Sequence, residues 1–248
     1  MFDLTGRRAL VTGAGQGVGE GIAHALAAAG AAVAVNDLHA GRARAVAERI
    51  VAAGGEATPA PFDVGDYAAV EAGIAAAESA LGPLDILVNN AGIPESMGLQ
   101  PFRTSDPASW RPYIDVNLYG VMNCSRAVID GMCERRFGRI VTISSGAGTV
   151  GLAIGVSPYA AGKGGGISFM RHLALEHAGA GVTANTIAIG LIDNQSDPAA
   201  TAPLAKGIPV GRLGRPDDIA ALCLYLASDE ASWMTGQTIE LNGGSVTT

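Results

Sequence analysis

Two side chains that could exchange a proton lie four residues apart, at Tyr159 and Lys163. Residues at i and i+4 are neighbours on one face of a helix, so this spacing places a phenol beside an ammonium group. Free tyrosine has a pKa of about 10, and a nearby positive charge favours its phenolate. The pair follows a loop that begins after Ser144 and Ser145, at the end of an apolar run. That position favours an acid-base site over an ordinary solvated helix face.

A second group of residues indicates phosphate binding. Gly13, Gly17 and Gly19 follow a short apolar run and open an alanine-rich segment. Glycines let a diphosphate approach bare N–H groups at the start of a helix. The next apolar run, 32–36, leads to Asp37, where a carboxylate can bind the hydroxyls of an adenosine ribose. The sequence therefore predicts a dinucleotide-binding unit made of a strand, a glycine turn, a helix, a second strand and the acid that follows it.

The elements that must position these residues alternate along the chain. Seven apolar runs are predicted strands, at 9–11, 32–36, 57–62, 84–88, 139–143, 182–188 and 238–241. Helices are predicted between them, at about 22–29, 43–53, 68–81, 109–135, 159–177 and 217–227. Such alternation indicates parallel strands with right-handed crossovers and ligands beyond the carboxyl ends of the strands. We expect a single α/β domain over residues 1–248, a doubly wound seven-stranded parallel sheet with helices on both faces.

Composition excludes several functional classes. The chain has 248 residues, a net charge of -7 and only 16 Lys and Arg residues, which argues against nucleic acid or an anionic membrane surface as a partner. Its three cysteines lack metal-ligand spacing, so neither a metal site nor a disulfide framework is expected. No uncharged apolar run reaches the roughly 20 residues that a membrane span needs. We therefore expect a cytoplasmic protein.

Further motifs accompany these residues in a fixed order. They are Thr12-Gly13-x-x-x-Gly17-x-Gly19, Asn89-Asn90-Ala91-Gly92, Asp115-Val116-Asn117-Leu118, Ser145, Tyr159-x-x-x-Lys163 and Thr235-Gly236-Gln237. Their joint occurrence, over the whole chain, resembles the short-chain dehydrogenase/reductase family. The resemblance implies a Rossmann-like fold, a nicotinamide dinucleotide cofactor, and hydride transfer between that cofactor and a secondary alcohol or ketone.

The resemblance also implies a role for each catalytic residue. Tyr159 would be the general acid in ketone reduction and the base in alcohol oxidation, with Ser145 orienting the substrate oxygen. Lys163 would bind the nicotinamide ribose and lower the pKa of Tyr159, and Asn117 would hold a water that links Lys163 to solvent. No metal takes part. The implied cofactor-binding residues are Gly13, Gln16, Gly17, Val18, Gly19, Asp37, Leu38, Asp63, Val64, Asn90, Ala91, Gly92, Tyr159, Lys163, Gly190, Ile192 and Asn194.

Three departures from the family pattern leave alternatives open. Ser145 and Tyr159 are one residue farther apart than is commonest, so the catalytic serine is either Ser144 or Ser145, and we favour Ser145. An Ile-Gly pair at 189–190 replaces the usual Pro-Gly. Asn194 stands where a Thr is expected, although an Asn side chain can still hydrogen-bond an amide.

Asp37 decides the expected cofactor. Its negative charge would repel the 2'-phosphate of NADP, and Leu38 beside it supplies no compensating cation. NAD is therefore predicted. Arg42 or Arg44 could reach towards that phosphate, so use of both cofactors stays open.

The expected substrate follows from the loops around the nicotinamide, which are apolar and carry few cations. A neutral, largely apolar ketone or secondary alcohol is favoured, with 190–207 as a mobile substrate loop. The alternatives are a 3-oxoacyl-thioester reductase and a non-catalytic NAD-binding sensor or scaffold. The apolar loop residues are Pro94, Met97, Leu99, Leu152, Ile154, Val156, Leu191 and Ile192.

A run of glycines inside one predicted helix bears on assembly. Gly162 and residues 164–166 follow Tyr159 closely, and each glycine in a helix costs about 1 kcal/mol relative to alanine. The run indicates close packing, against the sheet on one side and a partner subunit on the other. Members of the family commonly form tetramers through this helix and the one before it, so we expect a homotetramer.

Overall fold

The molecule is built on one sheet of seven parallel strands in the order β3-β2-β1-β4-β5-β6-β7. The computed structural model describes residues 1–92, 98–193 and 198–247, with the backbone alone at 198–200. The strands are β1 Arg8–Val11, β2 Ala32–Val35, β3 Glu56–Pro59, β4 Ile86–Asn89, β5 Gly138–Ser145, β6 Val182–Ile189 and β7 Thr238–Leu241.

Helices connect the strands and cover both faces of the sheet. They are α1 Gly17–Ala28, α2 Ala40–Ala52, α3 Tyr67–Leu81, α4 Arg111–Ile114, α5 Gly120–Glu134, α6 Ser157–His177, α7 Pro198–Ala205 and α8 Pro216–Ala227. A π-helical turn, Asp115–Tyr119, joins α4 to α5. None of the helices among the described residues is long and apolar enough to cross a membrane.

Two apolar cores lie on opposite faces of the sheet, because successive strand residues point to opposite faces. Val11, Val88 and Ile143 pack with α1, α2 and α8 in one core. Leu10 and Leu87 pack with α3, α5 and α6 in the other. The central strands are buried on both sides, which explains their nearly continuous apolar runs.

The structure confirms the predicted fold class, with all seven strands parallel and helices on both faces. Two segments differ from the sequence-based prediction. The helix expected over 109–135 is divided into α4, the π turn and α5. The stretch 190–207, expected to be irregular, contains α7, an alanine-rich helix with Pro203 inside it. Asn194, Pro94 and Met97, all expected near the ligand, lie outside the described residues.

The reversal of strand order at β1 and β4 fixes where a ligand can bind. β1 pairs with β2 on one side and β4 on the other, so their crossovers leave in opposite directions and open a crevice beyond the carboxyl ends. β5 lies beside β4 and brings Ser145 to the same edge. The predicted glycine turn and the predicted acid-base residues therefore meet at one edge of the sheet.

Candidate active site

The phenol of Tyr159 and the hydroxyl of Ser145 meet where β5 ends and α6 begins. Ser145 is the last residue of β5, and Tyr159 lies in the first turn of α6. Burial raises the pKa of Tyr159, and a hydrogen bond with Ser145 acts in the opposite direction by favouring the phenolate. The phenol is therefore neutral and protonated near pH 7. It can donate a proton to an oxygen bound beside both residues.

Lys163 lies one helical turn after Tyr159 and is only 6% exposed. Its Nζ donates a hydrogen bond to the Ile143 carbonyl at 2.7 Å and lies 5.8 Å from the centre of the Tyr159 ring. Burial lowers the pKa of Lys163 to about 8, so most of these side chains carry a charge at pH 7. The site therefore holds a positive charge next to its proton donor.

The two serines at the end of β5 point in different directions, because alternate residues of a strand face opposite sides. Ser144 is buried and its hydroxyl donates to the Lys163 carbonyl at 3.4 Å. Ser145 caps the following turn, accepting a hydrogen bond from the Ala147 N–H at 3.2 Å, and contacts Tyr159. The geometry therefore places Ser145, and not Ser144, beside the phenol.

Asn117 lies at the middle of the π turn and is 1% exposed. Its Nδ2 donates to the Tyr113 carbonyl at 2.9 Å, whereas its Oδ1 has no hydrogen-bond partner among the described residues. A Cβ on Gly92 would lie 2.9 Å from this Oδ1 and 2.5 Å from the Nζ of Lys163. Gly92 therefore lets an open acceptor and a buried ammonium both approach the same face of the backbone after β4. π turns are rare and recur at functional sites.

The glycine run in α6 is explained by close contacts within the chain. A Cβ on Gly162 would lie 2.8 Å from the Tyr113 carbonyl oxygen, and one on Gly166 would lie 3.3 Å from the Asn117 carbonyl oxygen. Gly164 faces the backbone of Gly148. These glycines let α6 approach the π turn and the turn after β5, which brings Lys163 and Asn117 into one site.

The glycine turn after β1 brings bare backbone close to the segment after β4. Gly13 and Gly17 both have φ +59, a left-handed conformation that side chains disfavour. A Cβ on Gly13 would lie 2.9 Å from the Cα of Ala91, so this turn and the segment after β4 are in close contact. The residue before α1, Gln16, makes no side-chain cap. The first N–H groups of α1 are thus free of side-chain caps and can bind an anion.

Asn90 and Thr12 hold these two segments together. The Asn90 Nδ2 donates to the Thr12 carbonyl at 2.9 Å and to the Gly13 carbonyl at 3.0 Å. The Thr12 hydroxyl accepts from the backbone N–H groups of Asn90 and Ala91. The structural role of Thr12 was not predicted, although its side chain begins the glycine motif. Asn90 and Thr12 therefore fix the position of the glycine turn relative to the segment after β4, on the two sides of the ligand crevice.

Asp37 lies after β2 and faces the glycine turn. Its Oδ2 accepts a hydrogen bond from the Gly15 N–H at 3.1 Å, and its Oδ1 accepts one from the His39 N–H at 2.9 Å. A Cβ on Gly15 would lie 2.5 Å from Oδ2, so a glycine is required for this approach. The arrangement places a carboxylate at the end of the crevice opposite Lys163.

The other predicted cofactor residues that the structure describes lie along the same edge in varied surroundings. Leu38 and Asp63 are exposed, and Val64 is buried. The Gly190 N–H donates to the Leu241 carbonyl at 3.1 Å, which fixes the end of β6. Ile192 forms an isolated parallel bridge with Gly214. These positions suit a ligand that spans the carboxyl edge from β3 to β6.

The residues present fit a nicotinamide dinucleotide. The glycine turn and the first N–H groups of α1 would hold the diphosphate, Asp37 the adenosine ribose, and Lys163 the nicotinamide ribose. The buried Oδ1 of Asn117 and the side-chain-free face of Gly92 lie at the nicotinamide end of this path.

The strand order and the glycine turn define a dinucleotide-binding protein of the Rossmann-like α/β class. A family model described as enoyl-(acyl carrier protein) reductase matches residues 13–246. An acetoacetyl-CoA reductase from Shinella zoogloeoides is 43% identical over 243 residues, which are 96% of this chain and 98% of that protein. The chain belongs to the short-chain dehydrogenase/reductase family, a family of oxidoreductases.

Solved structures of similar proteins contain either nicotinamide cofactor. A 3-oxoacyl-[acyl-carrier protein] reductase from Brucella melitensis, with bound NAD, is 38% identical with a TM-score of 0.91, covering 98% of this chain and 92% of that one. A gluconate 5-dehydrogenase from Burkholderia cenocepacia J2315, in complex with NADP and tartrate, is 36% identical with a TM-score of 0.91, covering 98% of this chain and 96% of that one. The family relationship therefore indicates a nicotinamide cofactor without choosing between the two.

Proposed function

We propose that this chain is an NAD(H)-dependent oxidoreductase that interconverts a largely apolar secondary alcohol and the corresponding ketone. The observation that carries the proposal is the meeting of Ser145, Tyr159 and Lys163 at the edge of the sheet where the glycine turn also lies. When bound, the nicotinamide supplies or accepts the hydride. The chain supplies position and the proton.

In ketone reduction, Tyr159 gives its phenolic proton to the carbonyl oxygen while Ser145 donates a hydrogen bond to the same oxygen. The ammonium of Lys163 stabilises the phenolate that remains. In alcohol oxidation the same phenolate accepts the proton. Asn117 Oδ1, a buried acceptor near Lys163, accepts from a water that returns protons between Lys163 and solvent.

The preference for NAD rests on Asp37. A carboxylate can accept hydrogen bonds from ribose hydroxyls but repels a 2'-phosphate. Its position against the Gly15 N–H directs it to the start of the crevice, where the adenosine ribose would lie. Leu38, 61% exposed, offers an apolar surface and no cation there.

A second candidate is the reduction of 3-oxoacyl thioesters, and it is favoured by the similarity to an acetoacetyl-CoA reductase and to a 3-oxoacyl-[acyl-carrier protein] reductase. Such a substrate is itself a ketone, so the same three side chains would act on its 3-oxo group. The two kinds of substrate differ away from this ketone group, because the site must also bind the thioester portion of a 3-oxoacyl thioester. A non-catalytic NAD-binding sensor or scaffold is the third possibility, and the complete acid-base group argues against it.

Initial rates with a panel of substrates separate these functions. We expect NADH-dependent reduction of methyl or aromatic ketones, with kcat/KM for NADH at least about tenfold above that for NADPH. Preferential turnover of acetoacetyl thioesters with NADPH would favour the second candidate instead. NAD binding without turnover of any ketone, alcohol or thioester would contradict an enzymatic function.

Asp37→Ser is expected to reverse the cofactor preference. Loss of the charge removes the repulsion of the 2'-phosphate and one acceptor for the ribose, so kcat/KM should rise for NADPH and fall for NADH, each by about tenfold or more. Asp130→Asn is the control, because Asp130 is an exposed acid of α5 and its loss makes the same change in net charge while breaking a surface ion pair with Arg126. An unchanged preference in Asp37→Ser would show that Asp37 does not face the ribose.

We further propose that the chain acts as one catalytic domain, with a substrate loop at 190–207, and assembles as a homotetramer. Trp233 is fully exposed and Leu175 on α6 is 79% exposed in the single chain. Burial of such side chains against another copy would be favourable. Light scattering should give about four times the mass of one chain, and a monomer at micromolar concentration would contradict this assembly.

A further inference from the structure

A short turn before α8 is held by an ion pair between Arg212 and Asp218. Two guanidinium nitrogens donate to the two carboxylate oxygens at 2.6 and 2.8 Å, a bidentate geometry that makes such pairs strong and directional. The carboxylate also accepts from the Arg215 N–H at 2.7 Å, and Arg212 donates to the Leu213 carbonyl at 2.9 Å. Chiefly because of the hydrogen bonds with Arg212, the pKa of Asp218 is lowered to about 2. The pair is therefore charged at pH 7 and fixes the turn formed by residues 212–216.

The 212–216 turn is bonded to the residues that follow β6. The Gly214 N–H donates to the Leu191 carbonyl at 3.0 Å, and the Asp193 N–H donates to the Gly214 carbonyl at 2.8 Å. These two bonds form the parallel bridge between Gly214 and Ile192. Because they are made by the residues on either side of Ile192, the N–H and the carbonyl of Ile192 itself point away from Gly214. The segment therefore presents a donor and an acceptor together on its other side.

Packing contacts join the 212–216 turn to both ends of the proposed cofactor site. The Ile192 side chain lies against Gly214, where a Cβ would be 2.7 Å from the Ile192 Cδ1, and it packs against the core that contains α1 and α8. Pro216, the first residue of α8, lies against α1, where a Cβ on Gly21 would be 2.7 Å from the Pro216 Cβ. Since α1 begins at the glycine turn, the 212–216 turn connects the helix of the diphosphate end with the backbone of Ile192.

Ile192 lies close to the proposed catalytic group. β6 pairs with β5 as far as its last residue, Ile189, which lies opposite Ser145. The three residues from Ile189 to Ile192 span at most about 10 Å, so the Ile192 backbone is within reach of a ring bound beside Ser145. The carboxamide of a nicotinamide carries a carbonyl acceptor and an NH2 donor. These two groups match the N–H and the carbonyl of Ile192.

We propose that Arg212 and Asp218 are positioning residues for the cofactor: their ion pair holds the 212–216 turn, which fixes the Ile192 backbone so that it can bind the carboxamide of the nicotinamide. This inference rests on the proposed NAD(H) site and adds two residues that act on it from outside. Arg212 is already paired with Asp218 and the Leu213 carbonyl, so it acts through the backbone and not by contact with the cofactor. The expected consequence of breaking the pair is a loss of affinity confined to the nicotinamide.

The test compares the binding of NADH with that of ADP-ribose, which keeps the adenosine, the diphosphate and the second ribose but lacks the nicotinamide. Arg212→Ala should raise the Kd for NADH about tenfold, the effect of losing one or two hydrogen bonds, and change the Kd for ADP-ribose by less than about twofold. Isothermal titration calorimetry measures both. Arg126→Ala is the matched control, because it removes another exposed arginine from a carboxylate, that of Asp130 at 2.8 Å. Both Kd values should be unchanged in the control.

Two further variants separate positioning of the cofactor from a purely structural role. Asp218→Asn removes the ion pair but keeps an oxygen for the Arg215 N–H, so it should show the same selective loss of NADH affinity. Arg212→Lys keeps the charge without the bidentate geometry, and its loss should be smaller than that of Arg212→Ala. Equal weakening of NADH and ADP-ribose, or a lower Tm with both Kd values unchanged, would show a structural role and overturn the inference.

The outcomes distinguish this inference from the function on which it rests. If the wild type binds NADH no more tightly than ADP-ribose, or if the variants keep the wild-type difference, the inference fails and the proposed function stands. If the wild type binds NADH but reduces no ketone or thioester, the proposed function fails and the binding comparison still decides the inference. If the wild type binds neither ligand, both fail. If Arg212→Ala does not fold, Asp218→Asn decides.

Discussion

Tyr159→Phe is expected to lower kcat for ketone reduction by about 10³-fold, within the range that general acid catalysis contributes. The substitution keeps the ring, which is partly buried in the first turn of α6, and removes the hydroxyl that contacts Ser145. The carbonyl oxygen then has no proton donor at this position. Stopped-flow or steady-state oxidation of NADH measures the loss.

Two controls make this result specific to proton transfer. NADH affinity, from fluorescence titration, should change by less than about twofold, because the ring and Lys163 remain. Tyr119→Phe removes a hydroxyl from a 51% exposed tyrosine at the end of the π turn and should have wild-type activity. A Tyr159→Phe enzyme that keeps more than about a tenth of the wild-type kcat would contradict the assignment of the acid.

Lys163→Met is expected to lower kcat/KM for ketone reduction and for alcohol oxidation by about 10³-fold, because the Lys163 side chain has two roles. It supplies the positive charge that favours the Tyr159 phenolate, and it would bind the nicotinamide ribose. Methionine has a similar length and no charge, so the packing between α6 and Gly92 is retained. KM for NAD should rise as well, which the Tyr159→Phe variant should not show.

The pH profile of alcohol oxidation separates the charge effect from the binding effect. Oxidation needs the phenolate, so log kcat/KM for the alcohol should rise with pH and level off above the pKa of Tyr159 in the enzyme before the alcohol binds. Burial raises that pKa in the free chain, and we expect the Lys163 charge to lower it. In Lys163→Met the inflection should therefore move to higher pH, by about one unit or more. An unmoved inflection with lower activity would mean that Lys163 acts on binding alone.

The same variant has a predicted effect on stability. Burial lowers the pKa of Lys163 to about 8, whereas in the unfolded chain it returns to about 10.4. Between these two pH values the unfolded chain binds more protons than the folded chain. The free energy of unfolding of the wild type therefore increases as the pH rises. Lys163→Met lacks this gain. Urea unfolding at several pH values in that range should give a smaller pH-dependent increase for the variant, and parallel curves would show that folding does not lower the pKa of Lys163.

The main features of the fold could be predicted from the sequence, because buried parallel strands and amphipathic helices leave distinct patterns. β7, Thr238–Leu241, has the predicted bounds, and α3 and α8 begin within one residue of theirs. The π turn could not be predicted, since one extra residue in a helical turn barely alters the apolar pattern of 109–135. The helix α7 was not predicted, and Pro203 inside it is a residue that ordinarily interrupts a helix.

The candidate site was predictable wherever a motif identified the residue type. Ser145 was favoured over Ser144 from the motif, but the physical reason needed the structure, because the two side chains face opposite sides of β5 and the sequence does not show where the strand ends. No motif in the sequence identifies Tyr113. Its hydroxyl accepts a hydrogen bond from the Gly98 N–H, and its carbonyl accepts one from the Asn117 side chain. Only the folded structure shows these contacts.

The central claim is that Tyr159, Ser145 and Lys163 act together on the oxygen of a substrate beside a nicotinamide. A crystal structure with NAD and an alcohol chosen from the substrate panel tests it most directly. We predict that the Tyr159 hydroxyl and the Ser145 Oγ lie about 2.6–3.2 Å from the alcohol oxygen, with the Lys163 Nζ on the nicotinamide ribose. An alcohol bound elsewhere in the crevice, with the phenol directed away from it and from the nicotinamide, would contradict the claim.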